Sequence, residues 1–191
     1  IILYHAPFYR VYCVNYGSNR EYFIIDTKGE YDEDTVPNVP FDRDKAGIDN
    51  IVRFKNANVG NNSNTGNLIN NLPLSEYGYT FEIDSENNGL VINYHMTDWY
   101  IEERGYLRKA LIYDAVALFV LIDNLKYVEF NFSGEVYDVS REDILEYPHF
   151  EEICKEKVDK EKFNLHLESK IKDEEFVDEM FSSIIGKKAN S

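Results

Sequence analysis

Cysteine is scarce in this chain. Cys13 and Cys154 are the only two, too few for a disulfide scaffold and at no spacing that fits a zinc template. Two unpaired thiols are expected; a bridge between them would close a very long loop and add roughly 4–5 kcal/mol by chain entropy. Long apolar runs are also missing. The most apolar stretch, Ala115–Ile122, is eight residues long, far short of the roughly 18 of a membrane-spanning helix. Positive charge is the third shortage. Lys and Arg number 20 against 35 Asp and Glu, a net charge of −15. Nucleic acid is excluded as a partner, because phosphate binding needs clustered Lys and Arg. Direct adsorption to an anionic membrane is disfavoured for the same reason.

Several chemical signatures are lacking too. There is no His-Glu-x-x-His zinc-peptidase pair, no Gly-x-Ser-x-Gly elbow and no phosphate loop. A penicillin-acylating serine is not expected. The four histidines, His5, His95, His149 and His166, are isolated along the chain, so no metal site and no cofactor is assigned. "DRDKAG" (Asp42–Gly47) begins like a calcium loop, but Ala46 and Arg53 stand where oxygen ligands belong.

What is present reads as a folded domain. Hydrophobic residues make up 43%, charged residues 29% and aromatics 15% of the 191 residues. That suffices for a core and points to a substantial sheet. "FYRVYCVNYG" and "EYFIIDT" read as a β-hairpin, followed by an acidic linker with Pro37 and Pro40. "IVRFKNANVG" reads as a short strand or extended entry. Ser63 or Asn62 is the expected cap of a short helix that Pro73 ends. "YGYTFEID" and "GLVINYH" form a second hairpin. A long helix is expected from about Glu102 to Asn124, with a stripe of Leu107, Leu111, Asp114, Leu118, Leu121 and Leu125. Two strands follow, then a helix capped by Ser140-x-x-Asp143 and further charged helices, with Gly186 as the final cap and "KKANS" frayed.

The expected fold class is α+β: a two-layer domain with a mostly antiparallel sheet and helices on one face. Its expected parts are 1–49 (hairpin and linker), 50–147 (the α+β domain) and 148–191 (charged C-terminal helices packed on it).

Two stretches carry a resemblance: "NVGNNSNTGNLINNLPL" (Asn58–Leu74), and "YDAVALFVLIDNLKYVEFNFSG" (Tyr113–Gly134) followed by "VSREDI". Over about residues 51–147 the chain resembles domain of unknown function family 4825. That family is an extracytoplasmic module, often at the C-terminal end of BlaR-type, zinc-peptidase-like membrane regulators. The pattern differs at two positions: Asn61 stands where the family often has Asp, and Asp114 where it often has Asn. The resemblance implies an extracytoplasmic location in a bacterial-type cell envelope, secreted or held by an anchor outside this chain.

No residue is assigned a catalytic role. The first ligand-binding candidate is the strand-to-helix connection with His95, Asp98, Trp99 and Tyr100. Aromatic faces beside carboxylates there suit cations or sugars. The second is the Asn-rich loop with Asn61, Asn62 and Ser63, at a helix start able to receive an anion. Asp114 and Asn124 are expected as structural polar residues of the core. Asp114 falls on the leucine stripe and needs a backbone N–H or a Tyr hydroxyl as partner. The expected function is a non-enzymatic sensing or protein-interaction module for an unknown protein or small molecule. The alternatives are a hydrolase using Asp98 and Glu102, and a purely structural adaptor.

Overall fold

The computed structural model describes the backbone of residues 9–16, 19–26, 47–95, 105–132, 135–155 and 157–189. The chain divides into two compact units, Ile1–Pro40 and Phe41–Ser191. In the first, β1 (Tyr9–Tyr16) and β2 (Asn19–Asp26) pair antiparallel, from Tyr9 opposite Asp26 to Tyr16 opposite Asn19. Alternating aromatic and β-branched residues make this pairing favourable.

The second unit begins with a correction. Where an extended entry was expected from Ile51, a helical turn over Ile48–Ile51 (α1), begun within the expected linker, runs into a 3₁₀ turn over Val52–Phe54. Only Asn56 makes a strand-like bridge, parallel to Ile122. Burial of Ile48 and Ile51 overrides the β propensity of "IVRF". Then follow α2 (Asn62–Ile69), a 3₁₀ turn opened by Pro73, β3 (Tyr79–Asp84), β4 (Gly89–Tyr94), α3 (Gly105–Leu121), β5 (Tyr127–Asn131) and β6 (Glu135–Ser140). The remaining elements are α4 (Arg141–Glu146), α5 (Phe150–Ile153), α6 (Lys160–Phe163), a π-helical turn (Asn164–Glu168), α7 (Glu174–Ile184) and β7 (Gly186–Ala189). The α2 cap is Asn61, one residue ahead of the expected pair; its Oδ1 accepts from the Asn64 N–H. The α4 cap is a full capping box between Ser140 and Asp143. Gly186 does not cap α7. It opens β7, where a side chain would meet Asp138 Oδ1 at 2.9 Å.

The fold is α+β. The sheet order is β3-β4-β5-β6-β7, antiparallel except for the parallel β4–β5 pair that α3 connects. One sheet face is buried through Leu90, Ile92, Val128, Phe130, Tyr137 and Val139, while Val91, Asn93, Glu129 and Asn131 on the other are half-buried. Helix α3 packs with the 3₁₀ turn at Pro73–Tyr77, with α2 and with α7. Every residue from Ala110 to Ile122 is buried. The leucine stripe therefore does not define a single inner face; α3 is wrapped all round. The helix ends at Leu121, three residues earlier than expected. At its far end, Tyr94 stacks on Phe132 with ring centroids 5.1 Å apart and an interplanar angle of 15°.

Candidate functional site

The polar side chains of the described domain converge on the C-terminal end of α3. A helix leaves its last carbonyls without intrahelical partners, and α3 is too deeply buried for water to serve them. Arg141 supplies most of the donors. Its Nη2 donates to the Phe119 and Ile122 carbonyls at 2.9 and 2.6 Å, and its Nε to the Leu125 carbonyl at 2.6 Å. Lys55 Nζ donates to the Val120 carbonyl at 2.8 Å and pairs with Asp123. The Asn56 N–H donates to the Leu121 carbonyl at 2.8 Å. The two cations also oppose the negative end of the helix dipole. Desolvation holds the Arg141 guanidinium below its ordinary range.

An asparagine network extends from this end. Asn124 Oδ1 accepts from the Val59 N–H at 2.7 Å. Asn124 Nδ2 donates to Asn58 Oδ1 at 3.2 Å and Asn88 Oδ1 at 2.9 Å. Asn58 Oδ1 also accepts from the Gly60 N–H at 2.7 Å. One side chain thus ties the 55–64 loop, the turn after α3 and the β3–β4 turn together. Asn124 is half-buried, at the edge of the core and not inside it. In the same β3–β4 turn, Asn87 and the Tyr127 hydroxyl hold Asp84 down at about 2. The Asp84 bond in turn pushes Tyr127 up to about 12.

Asp114 is 1% exposed. Its Oδ2 accepts from the Leu74 N–H at 3.2 Å, and its Oδ1 has no hydrogen-bond partner. Burial raises its carboxyl well above the ordinary range, and the Leu74 bond only partly opposes this. The Tyr94 hydroxyl is likewise buried without a partner, and is raised by burial and then by the charge of Asp114.

The predicted ligand sites fare differently. Asp98, Trp99, Tyr100 and Glu102 lie outside the described residues, as do His5 and the segment 42–46. His95 is exposed just beyond β4; its N–H donates to the Gly78 carbonyl at 2.9 Å. Asn61, Asn62 and Ser63 are exposed at the start of α2, where Asn61 serves as the cap. His149 and His166 are not isolated: their rings stack with centroids 4.8 Å apart. The tetrad Ser169-Lys170-Ile171-Lys172 has Ser-x-x-Lys spacing. Its Ser169 Oγ donates to the Leu165 carbonyl at 3.0 Å. Cys154 is a free thiol, pushed up to about 11 by burial. Among the described residues no group of three or more His, Cys, Asp or Glu could hold a metal, and no helix is long and apolar enough to cross a membrane.

Sequence reasoning missed the roles of Lys55, Arg141 and Glu168. Glu168 Oε1 accepts from the Ile48 N–H at 2.8 Å and from the Tyr113 hydroxyl at 3.0 Å. The only local signal there is the Ser140 cap, which places Arg141 at a helix start and says nothing of the carbonyls it reaches.

Residues 51–142 match the family model described as Domain of unknown function (DUF4825). No curated protein and no solved structure matches the chain.

Proposed function

From the match of residues 51–142 to the DUF4825 family model, we propose that the chain is a non-enzymatic sensing or protein-interaction module. It works outside the cytoplasm, joined to the membrane through an anchor beyond this chain. One observation supports the reading: among the described residues of the family segment, the polar side chains that converge on the end of α3 and on the helix starts are engaged by its own backbone. Lys55 and Arg141 serve α3, Asn124 serves the loop, and Asn61 and Ser140 cap helices. Side chains so engaged are poor nucleophiles or bases, which need free reach to a reacting atom. What faces outward is acidic and polar, including Glu82, Glu86, Glu142 and Glu146. Such a surface suits a cationic or neutral partner.

The test uses intact cells making the full-length protein. Protease added outside should cleave within the tagged 51–142 segment without lysis. Deletion of residues 51–147 should abolish the response of the membrane protein that carries the module. Protection of the segment until lysis would sink the extracytoplasmic reading; an unchanged response after deletion would sink the sensing role.

A further inference from the structure

Two backbone irregularities meet outside the family segment. His149, between α4 and α5, is left-handed at φ 71° although it carries a β-carbon. Strain of this kind persists where the surroundings over-determine it. The second irregularity is the π turn at Asn164–Glu168, closed by the Ser169 N–H on the Asn164 carbonyl at 2.9 Å. Single π turns concentrate at functional places in folds. The imidazoles of His149 and His166 join the two, stacked at 4.8 Å with an interplanar angle of 17°.

The charges around the stack are unequal to two protons. Glu152 Oε1 lies 3.5 Å from His149 Nδ1. The same carboxylate also binds Lys162 from α6. Lys162 and Lys170 both act on His166 as further positive charges. Two neutral rings, or one neutral and one charged, stack without penalty. Two imidazolium ions at this separation repel, and one carboxylate already shared with a lysine offsets only one of them. The His149 side chain is 57% exposed, so protons reach the pair freely.

We propose that the His149–His166 stack is an acid-sensitive latch that closes the left-handed corner onto the π turn at neutral pH and parts when both rings are protonated. Burial and the neighbouring His149 hold His166 below the ordinary imidazole range, with Glu152 acting in the opposite direction. A proton on His166 is therefore harder to add than on an ordinary imidazole. Opening travels inward, because Glu168 in the same turn holds the Ile48 N–H and the Tyr113 hydroxyl.

Amide hydrogen exchange of the full chain tests this, corrected for intrinsic rates, at about pH 7.5 and about pH 5. In the unaltered protein, exchange across 164–171 should rise at least about tenfold on acidification. His166→Phe keeps a flat ring without a second charge and should hold the rise below about twofold. His149→Asn, which tolerates the left-handed backbone, should loosen the turn at both pH values and remove the acid increment. In that variant the His166 NMR titration midpoint should move up towards its ordinary value. A full acid response in both variants would place the effect on carboxylates and overturn the latch, as would no response in the unaltered protein. Should His166→Phe fail to fold, His149→Asn decides alone.

Discussion

At the scale of single residues, Asp114 is the costliest group in the core. Its Oδ1 is buried without a partner, and one backbone N–H is its only hydrogen bond. The folded carboxyl titrates well above the unfolded one. The folded state therefore holds a proton that the unfolded chain has lost. Stability is complete below the unfolded carboxylate range and falls as pH rises towards the folded value, by up to about 1.4 kcal/mol per pH unit. Asp114→Asn keeps an acceptor for Leu74 and has no proton to lose. Melting curves of the two proteins should nearly coincide near pH 4 and separate towards neutrality, with the amide variant more stable. Parallel curves across that range would show that Asp114 finds a partner when it ionises. At the start of α2, Asn61 caps the helix through the Asn64 N–H. An aspartate there does the same work beside the positive end of the helix dipole, so Asn61→Asp should change stability by no more than about 0.5 kcal/mol. Asn61→Ala should cost about 1 kcal/mol in urea unfolding.

At the scale of elements, the end of α3 decides how loop, turn and strand meet. Arg141→Met retains the apolar stem over the Phe119 ring, where the guanidinium carbon now lies 5.4 Å from the centroid. It removes all three donors. The expected loss is about 2–4 kcal/mol with an unchanged denaturant slope. Arg141→Lys should recover only part of this, because a point charge cannot fork across three carbonyls. Equal stabilities of Lys and Met variants would mean that packing, not donation, is what Arg141 supplies. Much at this scale is legible from local pattern. The 79–94 hairpin shows in its alternation, α3 in its length and apolarity, and the α4 cap in Ser140 and Asp143. Contacts between distant residues are not. Arg141 reaches back to Phe119, and Glu168 to Ile48, over sequence separations of 22 and 120. No period or cap signal spans such distances. The same blindness explains α1, whose apolar residues look like a strand until the packing that buries them is seen. It also explains β7, where a glycine suited to ending α7 instead lets the chain lie against Asp138.

At the scale of the whole molecule, the family segment and the folding unit differ in extent. Residues 51–142 contain β3 to β6 and α3, yet later residues help to bury α3 from Ala110 onward. Eight apolar side chains between Phe150 and Ile184 are buried: Phe150, Ile153, Phe163, Leu167, Ile171, Val177, Met180 and Ile184. At about 1.5–3 kcal/mol each, their burial is as large as or larger than the roughly 5–15 kcal/mol net stability of a domain. Helix α7 packs directly on α3, the Tyr113 ring meets Phe163 edge-on at 5.8 Å, and β7 extends the sheet beyond β6. A fragment of residues 51–142 would bare the Tyr113 ring and the side of α3 that α7 covers, a surface prone to association. That fragment should show no cooperative melting and no near-ultraviolet circular dichroism, and should bind an apolar dye. A fragment of 41–191, the second compact unit, should melt cooperatively. Cooperative folding of 51–142 alone would place the core of this protein within its family segment and reduce the C-terminal helices to an ornament on it.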